Sequence, residues 1–383
     1  MGAGDPRGVL AGAPPGAVVG PQVLGISHSS VVPAWRERER ALIRRGVKVA
    51  LATALVWNEG GRPVRLAADS EPFVTGVRTL GRHPNLFVFD PRPLWRLLGR
   101  RWDVLDIHEE PVSLATAETL VLRGLRRRKE PFVLYSAQNI EKRYPPPFRW
   151  IERWALRHAA AVAVCNEAAG RIVRAKGLRG LAVEIPLGVD VNHFAPAVRS
   201  APVGVLRVGF VGRLETHKGI DVLLDAIAPY PGWTLDVIGG GPAETALRRQ
   251  AAGLGLGDRV RFLGWADQND LADHYRTFDV LAVPSIDTPG WSEQFGRVVV
   301  EAMASGVPVV ASRAGALPEV IGAAGLLVTP GDANALAAAL NDLAIDAVTW
   351  CELRRRGLAR AAAFTWDAVA AGYLDLYERI TSP

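Results

Sequence analysis

Residues 292–312 run Ser292-Glu293-Gln294-Phe295-Gly296-Arg297-Val298-Val299-Val300-Glu301-Ala302-Met303-Ala304-Ser305-Gly306-Val307-Pro308-Val309-Val310-Ala311-Ser312. Ahead of them, 280–283 has the composition of a buried strand, and Pro284, Pro289 and Gly290 break it into a loop. The run 296–304 suits a helix closed by Gly306 and Pro308, and a second apolar strand follows. This strand–loop–helix–strand unit carries one carboxylate, Glu293, in its loop and another, Glu301, on its helix.

That spacing has a chemical use. A helix starting near Phe295 and Gly296 presents unpaired amides and the positive end of its dipole, which suits a phosphate or the polar edge of a sugar. Glu301 stands eight positions after Glu293, a rise of roughly 12 Å if the stretch were helical throughout. One carboxylate can then touch a sugar ring while the other accepts from ribose hydroxyls. Gly296, lacking a Cβ, lets a ligand approach the backbone.

Glu293 and Glu301, inside Glu-Gln-Phe-Gly-Arg-Val-Val-Val-Glu-Ala-Met-Ala, resemble the donor motif of glycosyltransferase family 4. After the strand expected over 206–211 comes Gly212-Arg213-Leu214-Glu215-Thr216-His217-Lys218-Gly219, similar to the family's Gly-Arg…Lys-Gly loop. The resemblance implies an α/β chain of the GT-B fold, with two Rossmann-like doubly wound domains facing across a cleft. It implies a retaining, metal-independent transfer of a sugar from a nucleotide-sugar donor, a UDP- or GDP-sugar, to a hydroxyl acceptor that is a small molecule, a glycan or lipid-linked. No cofactor beyond that co-substrate is expected. Arg213 and Lys218 would neutralise the leaving diphosphate, since two cations stabilise an anion as it develops. Glu293 would position the donor sugar and Glu301 the ribose, with Phe295, Gly296, Gly212, Gln294 and Arg297 as further donor contacts.

The resemblance also orders the chain. A loose leader is expected over 1–20, an acceptor domain over 21–200, a donor domain over 201–365, and a terminal helix over 366–383 that crosses back to the first domain. The segment Pro186-Leu187-Gly188-Val189-Asp190-Val191-Asn192-His193-Phe194 resembles the family's closure of the first domain, and 195–203 reads as the hinge.

In the first half, strands expected over 22–27, 103–107 and 131–136 end in His28-Ser29-Ser30, His108-Glu109-Glu110 and Ala137-Gln138-Asn139. Polar groups at strand C-termini in such sheets line the ligand crevice. His28, Ser29, Glu109, Gln138 and Asn139 are therefore acceptor or cleft candidates, and His108 a catalytic one that orients the acceptor hydroxyl. Where family members often have glycines in the first loop this chain has serines, which either donate hydroxyls or face the acceptor. Gln138 stands where similar sequences have a histidine, and a glutamine can hydrogen-bond but not carry a proton. Glu109 and Glu110 suit helix N-terminal charges equally well. The stretch 57–81 has weak periodicity and reads as irregular. Trp265 is a candidate platform for a nucleobase.

The 383 residues suffice for two domains with ample cores. The hydrophobic fraction of 49% and charged fraction of 22% are ordinary for a globular protein. Net charge is +6, which favours anionic partners of several kinds: nucleotide sugars, lipid headgroups or nucleic acid. A nucleic-acid module is not recognisable, so no nucleic-acid partner is expected. Basic runs at 123–129 and 95–102 suit either peripheral contact with an anionic membrane or a solvated charged face. The two cysteines, Cys165 and Cys351, are too few for a disulfide framework and fit a reducing cytoplasm. Another class stays open beside the transferase: a GT-B sugar-nucleotide epimerase, or a binding protein that keeps the donor pocket without chemistry.

Overall fold

The structure is a computed structural model, and it describes residues 20–59 and 62–382. The leader expected over 1–20 lies, Gly20 aside, outside the described residues. Two all-parallel sheets dominate. The first has seven strands in the spatial order Leu181–Glu184, Ala161–Val164, Phe132–Ser136, Val104–Ile107, Gln22–Ile26, Lys48–Ala54 and Val74–Val77. The second has six, in the order Val260–Gly264, Trp233–Ile238, Leu206–Val211, Val280–Val283, Val309–Ser312 and Leu326–Val328. Their central strands are apolar on both faces, as sheets covered by helices on both sides must be. Leu24, Ile26, Leu105, Ile107 and Leu134 are buried in the first sheet, and Val208, Leu235, Val237, Val280 and Val310 in the second.

In each sheet the strand order reverses beside the first strand of that half. Gln22–Ile26 pairs with Lys48–Ala54 on one side and Val104–Ile107 on the other. Leu206–Val211 pairs with Trp233–Ile238 and Val280–Val283. Loops leaving neighbouring strands at such a reversal part to opposite faces and open a crevice at the strand C-termini. The crevices are therefore framed by 27–30 and 108–113 in the first half, and by 212–219 and 284–296 in the second.

The expected irregular stretch at 57–81 is a correction. It contains an antiparallel hairpin, Val56–Glu59 with Arg62–Arg65, and the edge strand Val74–Val77. Edge strands and exposed hairpins bury little, so their sequences lack a strong apolar period. The helix Pro91–Leu97 and the edge strand Leu181–Glu184 are further elements that the local pattern does not announce, and a short strand runs Val88–Phe89.

The last helix, Trp366–Thr381, lies against Glu37–Arg44, and Val369, Ala370, Tyr373, Leu376 and Tyr377 share a core cluster with Val23, Ala41, Leu42 and Val104. A different cluster joins Cys165, Val189 and Phe194 to Phe295, Val299 and Met303. Apolar packing thus links the two halves behind their clefts. No helix among the described residues is long and apolar enough to cross a membrane.

Candidate functional site

The second crevice gathers the expected donor residues. Gly219, at φ +66°, ends the short turn Thr216–Lys218, and a Cβ there would stand 2.0 Å from the Pro284 carbonyl oxygen. Only glycine supplies both the left-handed backbone and that clearance. The two loops therefore touch, and Lys218 Nζ lies 2.7 Å from Glu293 Oε2. Ser285 Oγ also donates to that oxygen, at 3.3 Å. Arg213, 57% exposed, pairs with Glu215 at 2.6 Å. Glu215 also holds His217 Nε2 at 2.9 Å. The His217 ring stacks on Trp291 at 3.9 Å, and Lys218 Nζ sits 4.5 Å from the same indole. Burial, with Lys218 and Arg213 nearby, holds the His217 pKa below its usual range despite Glu215.

The helix after the loop runs Arg297–Ala304, and its N-cap is Gly296 at φ +80°. The loop at 284–296 is not helical, so the two glutamates are not separated by a continuous helical rise. Glycine at 296 is explained first by this left-handed turn, a conformation that L side chains rarely adopt. Among the described residues, neither the Phe295 nor the Gly296 amide donates to a backbone acceptor. Phe295 itself is buried, edge-on to Phe364 at 5.6 Å. Glu301 is buried, accepting from Tyr275 Oη at 2.9 Å and pairing with Arg297 Nε at 2.9 Å. Burial and this carboxylate push the Tyr275 pKa well up. Arg297 in turn lies 4.7 Å over the Trp35 ring of the first half.

Two asparagines of the first half clasp the acidic loop. Asn139 Nδ2 donates to the Glu293 carbonyl at 2.7 Å, and Asn166 Nδ2 to the Gln294 carbonyl at 2.7 Å. Asn166 Oδ1 also caps its own helix through the Ala169 amide at 2.8 Å. The Gln294 side chain is exposed, so its backbone is what the structure uses. Ala316 N donates to the Glu293 carbonyl as well, at 2.9 Å.

In the first crevice, His28, Ser29, His108 and Glu109 come together with Trp35, Asn85, Glu110, Tyr135 and Leu187 around a cleft of about 190 Å³. His28 donates its backbone N–H to Glu109 Oε1 at 2.7 Å, and its Nδ1 lies 2.6 Å from Oε2. The His108 ring stacks on Tyr135 at 4.0 Å, and Arg38 Nη1 lies 2.8 Å from its Nδ1. Glu110 turns inward, accepting from Ser136 Oγ at 2.7 Å and Ala137 N at 2.9 Å. Burial raises its pKa despite those donors. Gln138 is spent locally, donating to the Ile140 carbonyl at 3.0 Å and accepting from Tyr144 at 3.1 Å.

Arg38, Glu215, Asn166 and Trp291 are site residues that the sequence reading did not single out for these roles. Glu215 could have been found, since a carboxylate two residues from Arg213 and from His217 is placed to pair with both. Arg38 could not, because nothing local tells which arginine of Arg36, Arg38 and Arg40 reaches His108. Trp265 is partly exposed beside Gly240.

Comparison with known proteins follows this geometry. The family model for glycosyl transferases group 1 matches residues 206–346, and that for a glycosyl transferase 4-like domain matches 31–188. A phosphatidyl-myo-inositol mannosyltransferase of Mycobacterium leprae is 35% identical over 366 residues, which is 87% of this chain and 92% of that protein. A D-inositol 3-phosphate glycosyltransferase of Corynebacterium kroppenstedtii is 37% identical over 214 residues, 50% of this chain and 46% of that one. The chain thus matches about half the length of that relative. Sucrose-phosphate synthase from Thermosynechococcus elongatus superposes with a TM-score of 0.70 at 24% identity, covering 94% of this chain and 98% of that one. Anabaena HepE in complex with UDP-glucose does so with a TM-score of 0.69 at 20% identity, covering 94% and 100%. These structural likenesses speak for the fold. With the two sheets, their facing crevices and the relative matched along most of its length, the chain belongs to the group 1, family 4-like glycosyltransferases of GT-B fold.

Proposed function

We propose that this chain moves a sugar from a nucleotide-sugar donor to a hydroxyl acceptor, with retention at the anomeric carbon and without a metal ion. The observation that carries the reading is the meeting of Lys218 and Glu293 at the reversal point of the second sheet, one turn of loop from the helix start at Gly296. A diphosphate entering there would replace carboxylates as the partner of Lys218 and Arg213. Both cations would then stabilise the charge that grows on the leaving group as the sugar takes on oxocarbenium character. Glu293, released from Lys218, would accept from sugar hydroxyls. Glu301 would take a ribose hydroxyl on lone pairs that Tyr275 and Arg297 leave open, since a carboxylate offers about four acceptor positions. Retention follows if the acceptor hydroxyl attacks from the face the diphosphate leaves, where the acceptor cleft opens.

UDP is the first donor base to test, because HepE of the same fold is seen with UDP-glucose. A phosphorylated polyol is the first acceptor class, after the relatives named for D-inositol 3-phosphate and phosphatidyl-myo-inositol. Arg65, Arg78 and Arg82 line an open hollow that shares Trp57 with the wall of His28, and their charge suits such an acceptor. Contact with an anionic membrane would fall to the basic runs at 95–102 and 123–129. In the runs expected to provide it, Arg123 donates to the Glu130 carbonyl and Arg126 to the Trp95 carbonyl.

Titration calorimetry with UDP and GDP, on the wild type and on Glu301→Ala, tests the donor site. Binding of one nucleotide, weakened by the substitution, is expected. No binding of either by folded protein would remove the roles given to Arg213, Lys218 and Glu301. An epimerase would turn over the donor sugar with no acceptor present, which product analysis of the same incubations distinguishes.

A further inference from the structure

His108 stands at the acceptor cleft between two opposite kinds of neighbour. His28, from the first strand's end, is paired with the carboxylate of Glu109. His108 is instead approached by a guanidinium, with Arg38 Nη1 at 2.8 Å from Nδ1. A guanidinium has N–H donors and no acceptor, and it does not lose its proton in proteins. The nitrogen it meets must therefore present a lone pair. Nδ1 of His108 is an acceptor, so the ring is neutral and its proton sits on Nε2.

Everything around Arg38 keeps that arrangement in place. Its Nε donates to Glu39 Oε1 at 3.0 Å, its Nη2 lies 3.1 Å from Asp106 Oδ2, and its plane sits 4.6 Å from the Tyr373 ring. Tyr377 Oη, from the terminal helix, donates to the same Asp106 oxygen at 2.7 Å. Arg38, Glu39 and Asp106 are all buried. The His108 ring is fixed by its stack on Tyr135, and its backbone N–H donates to the Ile26 carbonyl at 2.8 Å. The charged and titratable groups facing it are thus Arg38 with Glu39 behind it, His28 paired to Glu109, Asp106 and Tyr135. Burial, Arg38 and His28 all push its pKa well below the usual imidazole range.

We infer that Arg38 is a positioning residue that locks His108 as an Nε2–H donor toward the acceptor cleft, so that His108 hydrogen-bonds an oxygen of the acceptor and takes no proton from it. This rests on the acceptor assignment of the cleft and deepens it. The ligand class is an acceptor carrying a lone-pair oxygen at that point, whether hydroxyl or phosphate. The acceptor's proton must then leave by another route, and in a transfer where the hydroxyl attacks from the face the diphosphate leaves, the departing phosphate oxygen can take it.

The test is spectroscopic and needs no turnover. Long-range ¹H–¹⁵N spectra of the full chain with labelled histidine, assigned with His108→Gln, report which ring nitrogen bears hydrogen. The expected result is the neutral Nε2–H pattern for His108, unchanged between about pH 5 and 8, where an ordinary imidazole titrates. An Nδ1–H pattern, or a titration in that window, would overturn the inference. Arg38→Met should restore a titration to His108. If that variant does not fold, the wild-type spectrum still decides. Once a donor and acceptor pair is in hand, His108→Gln, which keeps an N–H donor, should retain transfer to within about tenfold. A loss of about 10²–10⁴-fold, typical of removing a general acid or base, would count against it. Absence of any transfer by the wild type would speak against the transferase reading and leave the spectroscopic result standing.

Discussion

Asn166 performs two tasks with the two ends of one amide, and a single substitution separates them. Its Oδ1 caps the helix Glu167–Ala175 through the Ala169 amide at 2.8 Å, while its Nδ2 holds the Gln294 carbonyl at 2.7 Å. Asn166→Ala removes both, about 1 kcal/mol for the cap and about 1 kcal/mol for the hydrogen bond. Asn166→Asp keeps the cap and turns an oxygen toward the Gln294 carbonyl. In so buried a place the unpaired oxygens should cost about 1–3 kcal/mol. Thermal unfolding should therefore fall by a similar amount in both variants, about 4–8 °C for 2 kcal/mol in a domain of this size. Hydrogen exchange at Ala169 tells them apart: protection should survive in Asn166→Asp and be lost in Asn166→Ala. Gln294 follows Glu293 directly, so loosening it should also lower transfer, since a shift of about 1 Å can cost about 10²-fold. If Asn166→Asp unfolds and transfers like the wild type, the clasp does not position the acidic loop.

Three further outcomes are expected. Gly219→Ala must place a Cβ against the Pro284 carbonyl at positive φ, costing about 1–2 kcal/mol for the backbone and about 1–3 kcal/mol for the overlap; unfolding by denaturant at unchanged midpoint would refute the contact between the two loops. Lys218→Met should leave the fold intact and lower transfer by about 10²–10³-fold, as removal of a group that stabilises a developing anion does, and a variant with wild-type rates would move the diphosphate elsewhere. Glu118 accepts from the Phe89 amide at 2.8 Å, and burial raises its pKa from the ordinary 4.5 to about 7. The folded state therefore holds this proton more tightly than the unfolded one, and the stability it brings at low pH is lost as pH rises through about 7. Glu118→Gln should thus gain in melting temperature over the wild type as pH rises from 4.5 to 7 and keep a constant margin above; a margin independent of pH would refute the burial argument.

The second half was legible because its signals are local. Pro284, Pro289 and Gly290 delimit the loop, Gly296 the helix start, and the Gly-Arg…Lys-Gly loop directly follows a strand, so the residues that meet in space announce themselves by position along the chain. The first half was legible only at its strand ends, where His28, His108 and Glu109 emerge. What was missed there is what tertiary packing decides. The edge hairpin at 56–65 carries little apolar period, and Arg38 is one of several arginines on a charged helix. Its burial depends on Tyr373 and Tyr377, more than 300 residues away in sequence. Asn166 caps its own helix through a local contact, but its other amide end reaches across to a loop that no local pattern connects with it.

The charged groups of the two crevices differ in how readily they can change partners. Arg213 is 57% exposed, and Lys218 and Glu293 are 20% and 13% exposed. An ion pair open to water is worth about 0–1 kcal/mol, so a diphosphate would take Arg213 from Glu215 at little cost, while Lys218 and Glu293 keep only partial contact with water. Arg38 and Asp106 are buried, and removing one partner of a buried pair costs about 3–5 kcal/mol. On the proposed assignment, the donor crevice would exchange partners more readily when its ligand arrives, and the acceptor crevice would keep them. On that same assignment, His108 would meet every acceptor in the same protonation state, and the proton that leaves the acceptor would be taken on the donor side.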